Sequence, residues 1–495
     1  MASIDDIRRA RLAKIEILKN AGMDPYPSSV PRDISLAQVA QDFEVLLESQ
    51  QSISLAGRVM AIRGSGAINF IVLQDGTDRF QVVIKKDEIA DEKMMQLFTD
   101  VVDIGDFVSV TGSVFKTKKG EPSLLVNTWS MATKSLLPLP EKWAGLQDTD
   151  ERYRKRYLEM ISDHDVYNRF ILRAKIITAI RIDLESKGMI EVETPILQIN
   201  AGGAMAQTFD THHHDYDMPM VLRIALEIEH KMLMVAGLPG VYEIGKNFRN
   251  EGSDPTHIQE FTMLEWYSAY HTLQENMQWT EDMLKNLARN IVGKDFFVVY
   301  DKQEKEHTIN FNSDWPRIRF DILLKENANV DIASATDDDI ADAARTWGMA
   351  DDEISKTGRA NMLDFIFKKS SRLNIINPTF VTNYPGDLKP LAQQNDDGTA
   401  QVAQLIIAGA EITNQYAELV DPIRQRELLE SQAASKVAGD AEAMNMNEAF
   451  ITAMEHGMPP MTGFGMGIDR LVALFTEQKN LREVIFFPIM KPRTD

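Results

Sequence analysis

Cysteine is absent from the 495 residues. That excludes disulfides, thiol nucleophiles and zinc-thiolate centres together, and leaves oxygen-ligated ions, with magnesium the natural candidate wherever phosphates are handled. Long apolar runs are missing too: no stretch approaches the roughly 20 residues that a membrane span needs. The opening MASIDDIRRARLAKIEILKN is charged throughout, unlike a secretory leader, and predicts a cytoplasmic chain with no membrane partner. Internal repeats and low-complexity tracts are also lacking. Positive charge is in deficit, since 53 Lys and Arg against 74 Asp and Glu leave a net −21. Such a balance argues against a surface coated for nucleic acid, DNA included, because counterion release needs cations at the phosphates. One local exception is the run Arg8, Arg9, Arg11, Lys14, Lys19, basic at helical spacing. It is open to two readings, a solvated helix face and an RNA contact.

What is present suits a globular protein. Hydrophobic residues make up 44% and charged residues 26% of the chain, and the length predicts two or three domains. Residues 1–50 predict a helical extension. From Ser52 to Ala132 apolar and polar positions alternate in short runs broken by turns, in SLAGRVMAIR, NFIVLQD, RFQVVIKK, DFVSVTGSVF and LLVNTWSMA. That pattern predicts a small five-stranded antiparallel barrel over 51–136. The stretch 137–152 reads as a linker, because Pro138 and Pro140 favour extended backbone and deny strand or helix continuity. Residues 153–495 alternate helical and strand-like runs, with helices expected near 167–187 and 272–294. The fold class is therefore α+β, a barrel followed by a mainly antiparallel sheet flanked by helices.

Three segments carry the chemistry. GVYEIGKNFRNEG and HIQEFTMLEWYSAY read as a hairpin with a polar turn, in which Phe261, Met263, Glu265 and Tyr267 share one face by the period of two. A glutamate in such a row is costly to bury unpaired, so Glu265 predicts a cationic partner, either Arg249 or a ligand. Arg249 and Glu251 share a face of the first strand, and an internal ion pair stitching the hairpin is the plainer alternative. In GAEITNQYAELVDP, Asn414, Tyr416 and Glu418 share parity, while Glu411 joins them only if the strand is bulged. An exposed edge strand would explain that segment equally well. In GFGMGIDRLVALF, Gly463, Gly465 and Gly467 strip one strand face of side chains, so that a flat ring can approach the backbone. Arg470 then opens a helix. An arginine there opposes the macrodipole, which points to an anionic ligand rather than a cap. Tight sheet packing would account for the glycines but not for the arginine.

Taken in chain order, KGMIEVETPIL ending at Pro195, FRNEG through FTMLEWY, and GFGMGIDRLVALF resemble the three motifs of class II aminoacyl-tRNA synthetases. Within that class the resemblance runs along nearly the whole chain to the lysyl-tRNA synthetases of bacterial type, through RYRKRYLEMI, EVETPILQ, Gly202 to Ala204, and EHGMPP. It implies an N-terminal OB barrel that reads the anticodon and a catalytic antiparallel sheet. The implied activity is that of a lysine-tRNA ligase: ATP-dependent formation of lysyl-adenylate, then transfer to the 3′ end of tRNA(Lys), with Mg2+ as cofactor. By the same resemblance Arg249 and Arg470 are catalytic, and ATP is held by Arg249, Glu251, His257, Phe261, Glu411 and Arg470. Lysine is held by Gly203, Glu227, Arg249, Glu265, Tyr267, Asn414 and Glu418. Phe70, Gln81 and Glu121 match the anticodon-reading positions, where exposed aromatics stack on bases. The first motif implies a homodimer.

Several positions depart from the family pattern. Gln404 stands where a second magnesium-binding glutamate is usual, which leaves Glu411 as the metal ligand and implies one weakened site. Leu226 replaces a proline before Glu227, and Thr256 an arginine in the second motif's loop. His212, His213 and His214 beside Asp215 and Asp217 read as a mobile loop flanking the substrate, because consecutive residues on extended chain point apart. The rival readings are a paralogue that modifies a protein lysine, a non-catalytic RNA-binding module, and an aspartyl or asparaginyl synthetase. Pocket glutamates disfavour the last of these, and the intact arginines disfavour the second.

Overall fold

The computed structural model describes residues 3–65, 67–140, 145–200, 202–204, 206–301, 303–437 and 446–493, so part of the expected linker, 141–144, lies outside the described residues. The chain folds as two compact units, one of residues 1–148 with 157–162 and the other of 149–156 with 163–495.

In the smaller unit β1 (Ile53–Ser65), β2 (Ile68–Gln74), β3 (Arg79–Lys85), β4 (Phe107–Lys116) and β5 (Pro122–Thr133) close a barrel in the order β1-β2-β3-β5-β4. The expectation of a purely antiparallel barrel needs correcting, for β3 and β5 pair in parallel. Parity requires it: an odd number of strands cannot alternate direction all the way around a closed ring. Where β4 crosses β5 the register shifts between Thr111 and Gly112, and a Cβ at Gly112 would strike the Leu125 carbonyl oxygen, so only glycine allows that approach. The N-terminal segment belongs to this body. Its first helix, Ile4–Asn20, starts on a Ser3–Asp6 capping box. Leu18, Leu36, Val39 and Phe43 are buried in the same core as the barrel's Val82, Val108 and Leu124. Two of the five residues of the basic run are structural: Arg11 donates to the Ile104 and Leu137 carbonyls, and Lys14 pairs with Asp103 at 2.7 Å. Arg8 and Arg9 remain exposed.

The larger unit is built on β6 (Ile190–Glu191), β10 (Gly240–Phe248), β11 (Glu260–Ala269), β14 (Arg317–Arg319), β15 (Thr379–Pro385), β16 (Thr399–Ile407), β17 (Ala410–Ala417) and β18 (Met461–Gly467). They form one sheet in the order β14-β15-β16-β17-β18-β11-β10-β6, antiparallel except for the pair at each edge. Two small sheets lie outside it, one made of β7 (Leu197–Gln198), β8 (Asp210–His213) and β9 (Met218–Leu222), the other of β12 (Phe296–Tyr300) and β13 (Glu306–Asn310). The expected loop at the three histidines is thus partly a strand. His212 lies 3.1 Å from Asp217, and the His213 ring stacks on Tyr216.

Alternation sorts the central strands into two faces. Leu264, Trp266, Phe464 and Met466 point into the core, where the Trp266 and Phe464 rings stack at 3.5 Å. That core is closed by Ile176 and Ile180 of the His164–Ser186 helix, Met277 and Leu284 of the Leu273–Asn286 helix, and Leu471 of the Ile468–Phe475 helix. Trp266 donates its indole N–H to Asn276, which in turn donates to the Gly463 carbonyl, so the buried indole and amide at this point of the layer are satisfied. The opposite face is left for the site.

Candidate active site

Strand register lays the site out as rows. Gln404, Asn414, Gly465, Glu265 and Glu243 are successive cross-strand neighbours on β16, β17, β18, β11 and β10. In the next row stand Tyr416, Gly463 and Tyr267. The bare glycines of β18 therefore lie between two strands that carry the functional side chains, and the face they leave open is lined from both sides.

Two cavities of about 170 and 190 Å³ open on this face and share Arg249, Met263, Asn414 and Gly465 in their walls. All six residues matched to ATP, Arg249, Glu251, His257, Phe261, Glu411 and Arg470, line the first. Gly203, Glu227, Arg249, Glu265, Tyr267 and Asn414 line the second. Glu418 does not: its carboxylate lies against Gly463, and its Oε2 meets the Lys231 ammonium at 2.5 Å.

Glu411 reaches the first cavity because the β16–β17 register shifts at Leu405/Ile406, so that Leu405 faces Thr413 and Ile406 faces Glu411. This is the bulge that the parity of the segment required. The Asn414 amide donates to Glu411 Oε1, while its carbonyl accepts from Gln404 Nε2 at 2.7 Å. Gln404 thus holds Asn414, which holds Glu411. Arg470, in the first turn of its helix, donates to the Glu411 carbonyl at 3.1 Å and lies 3.3 Å from His257 Nε2. Next to it Asp469 accepts from the Thr262 backbone N–H and pairs with Arg173 at 2.7 Å, which ties the helix start to β11.

Arg249 follows the end of β10 rather than lying on it, so the expected shared strand face with Glu251 does not exist. Its Nε donates to the Ile224 carbonyl at 3.3 Å, and its guanidinium sits over Phe261, 5.2 Å from the ring centre. Among the described residues it makes no ion pair, and the expected partnership with Glu265 is absent. The buried carboxylate of this hairpin that does pair is Glu243, which Arg223 meets at 2.8 Å, while Lys246 and Glu260 join the two strands at 3.4 Å on the exposed side. Glu265 therefore stays in the pocket without a cation, and burial, reinforced by Glu227, pushes its pKa up to about 8. Burial also lowers Arg249, against the pull of Glu251 and Glu265.

Three contributors escaped the sequence reading. Lys231, fully buried, bridges Glu227 at 2.7 Å and Glu418. Burial opposes its charge, but Glu227 and Glu418 outweigh that and raise its pKa. Its spacing of four from Glu227 on the Glu227–Val235 helix was a usable signal. Tyr416 and Lys389 line the second cavity. Tyr416 had been assigned to the correct strand face without a role, whereas nothing marked Lys389, in the connection between β15 and β16.

A closed five-stranded barrel ahead of a mainly antiparallel sheet, with arginines and carboxylates converging on two joined cavities, is the architecture of a class II aminoacyl-tRNA synthetase. Comparison with known families agrees: the family of class II tRNA synthetases (D, K and N) matches residues 148–491, and the OB-fold nucleic acid binding domain matches residues 53–132. A curated lysine--tRNA ligase of Carboxydothermus hydrogenoformans is 40% identical over 494 residues, spanning 99% of both chains. The lysine--tRNA ligase of Lactococcus lactis subsp. cremoris is 40% identical over 501 residues, spanning 99% of this chain and all of its own. That of Roseiflexus sp. is 39% identical over 494 residues, again spanning 99% of both. The chain belongs to the class II aminoacyl-tRNA synthetases and, within them, to the lysine--tRNA ligase family.

Proposed function

We propose that this chain activates L-lysine with ATP and transfers the lysyl group to the 3′ end of tRNA(Lys), acting in the cytoplasm as a homodimer. The observation that carries the reading is the junction of the two cavities at Arg249 and Asn414. One cavity offers carboxylates to ammonium groups and the other offers Arg470, His257 and Phe261 to a nucleotide. Arg249 stands where the lysine carboxylate must meet the α-phosphate. A carboxylate oxygen attacks the α-phosphorus, the bond to the bridging oxygen breaks, and pyrophosphate leaves with the electron pair. A ribose hydroxyl of the tRNA end then attacks the acyl carbon and AMP leaves. Both steps need alignment and charge neutralisation rather than a protein nucleophile.

Magnesium accompanies ATP as part of the substrate. Among the described residues no three His, Asp or Glu side chains converge into a cage, so the ion would take most of its oxygens from the phosphates, with Glu411 as its protein anchor. In the smaller unit Phe70 and Gln81 stand half-exposed on one face of β2 and β3, and Gln81 donates to Ser123 at 2.8 Å beside the exposed Glu121. This arrangement supports base stacking on Phe70 with polar edge contacts from the other two. For the dimer, support comes from apolar side chains left in solvent along the first motif. Ile182 is 62% and Ile199 63% exposed, and Ile190, Ile196 and Leu197 are exposed near them. Sedimentation should give the mass of two chains, and Ile182→Asp with Ile199→Asp the mass of one.

ATP-pyrophosphate exchange tested with each amino acid, at saturating magnesium, should proceed with lysine and with neither aspartate nor asparagine. Exchange with no amino acid would move the chain to the rival paralogue reading. A pH dependence follows from Glu265. Its carboxyl is protonated in the empty pocket below about 8, and the lysine α-ammonium needs it ionised, so binding must release a proton. Lysine affinity should therefore rise with pH up to about 8 and level off above it. Calorimetry in buffers of different ionisation enthalpy should report about one proton released near neutrality; zero would remove Glu265 from the α-amino site. Because the folded value lies above the ordinary 4.5, the empty protein should lose stability as pH rises from 4.5 toward 8, and lysine should restore it.

A further inference from the structure

Lys389 is a cation that the reaction outlined above does not use. Its backbone is fixed in the turn after β15, donating its N–H to the Gly386 carbonyl at 2.9 Å and accepting from Ala392 at 3.1 Å. From there the side chain enters the wall of the amino-acid cavity. The ammonium lies 5.6 Å from the Tyr384 ring centre and 5.7 Å from that of Tyr416. Aromatic faces attract a cation, but they do not replace the hydrogen bonds it loses on leaving water. Among the described residues the Lys389 ammonium has no hydrogen bond and no ion pair, whereas Lys231, which is bound to Glu227 of the same pocket, has two carboxylates. Burial accordingly lowers the Lys389 pKa, with Glu411 the strongest and Glu227 the weakest of the acidic groups that oppose this.

We propose that Lys389 binds the carboxylate of the amino-acid substrate, as a second cation beside Arg249. The assignment rests on the reading of this cavity as the lysine pocket, and it follows from charge and position. A lysine substrate brings two ammonium groups, which Lys389 repels, and one carboxylate, which it attracts. The carboxylate must sit at the Arg249 end, where the two cavities join, and that is the end toward Glu411. A cation there screens the approach of a carboxylate to a phosphate of like charge. It also makes the pocket select for orientation, since a reversed lysine would set an ammonium against Lys389. As the carboxylate's charge passes to the leaving pyrophosphate, the contact weakens, so Lys389 serves binding more than turnover.

The test compares lysine with lysinamide, which keeps both ammonium groups and lacks the carboxylate charge, by calorimetry on the full-length wild-type chain, K389M and K389R. Wild type should bind lysine more tightly than lysinamide. K389M should weaken lysine by about tenfold or more and leave lysinamide unchanged or tighter, and K389R should keep most of the preference. In exchange assays K389M should raise the KM for lysine with kcat little altered. Equal losses for both ligands, or none for either, would overturn the assignment. Should K389M not fold, K389Q reads the same ratio. Failure of the pocket reading is separately visible, because the wild-type chain would then bind no lysine at all, and the assignment would fall with it.

Discussion

Arg249→Met should lower lysine-dependent ATP-pyrophosphate exchange by about 10³-fold, the size of effect seen when a preorganised donor is removed from a developing charge, while leaving the thermal midpoint unchanged or higher. Both halves come from the same geometry. Arg249 is half-buried in the cavity wall, where its direct protein hydrogen bond is the one to the Ile224 carbonyl, and its face rests on Phe261. No carboxylate is paired with it among the described residues, so removing it leaves no buried anion orphaned. A buried, unpaired cation costs stability, and an apolar side chain of similar length costs less. On the proposed function such a cation persists because the bound state would supply its partners, the amino-acid carboxylate and the α-phosphate. Exchange kinetics and a melting curve on one preparation check both halves. A drop of many degrees in the midpoint with modest loss of exchange would make Arg249 a structural residue.

Legibility varied with how local the determining physics was. The glycine alternation at 463, 465 and 467 could be read in one dimension, and the register confirms that these positions face Tyr267, Glu265 and Met263. Glu411 was legible as a conditional: its parity was wrong for the site unless the strand bulged, and the strand bulges. The barrel's five strands were legible, but its parallel closure was not, since alternation within strands says nothing about which strands meet. Of the two partners open to Glu265, Arg249 and a ligand, the structure removes Arg249, and for a similar reason the sequence could not choose between them. Sequence proximity suggested Arg249, but Arg249 has left β10 by then and turns over Phe261, while Arg223, from outside the hairpin, neutralises Glu243. Lys389 had no local signal at all. Nothing in GDLKPLA distinguishes a lysine that enters a cavity from one that waves in solvent, because that depends on where a turn between two strands is carried by the rest of the sheet.

The second large effect is expected where substrate recognition and internal charge balance use the same atoms. Glu418→Gln should weaken lysine binding on the order of 100-fold, as breaking a buried ion pair does, and destabilise the empty protein too. Lys231 has no exposure and relies on Glu227 and Glu418, so without Glu418 one carboxylate must serve both Lys231 and the incoming ammonium. Removing Lys231 as well should separate the two effects. In the double variant with Lys231→Met the buried cation and its lost partner go together, so stability should return toward wild type. Affinity should not if Glu418, which pairs with Lys231 outside the cavity lining, serves the substrate ammonium together with Glu227. Gly463→Ala offers an independent route to the same phenotype. A Cβ there would strike the Glu418 carboxylate and come within 2.7 Å of the Tyr267 ring, displacing both without changing any charge. Calorimetric affinity and melting curves across the three variants decide the matter. If stability and affinity rise and fall together in all of them, Glu418 acts only through folding. If affinity stays low in the double variant while the midpoint recovers, the Glu227–Lys231–Glu418 bridge is a preset acceptor in which a fixed ammonium keeps two carboxylates apart and aligned for a second one. That would explain how a protein can hold so many acidic groups in one pocket before its cationic substrate arrives.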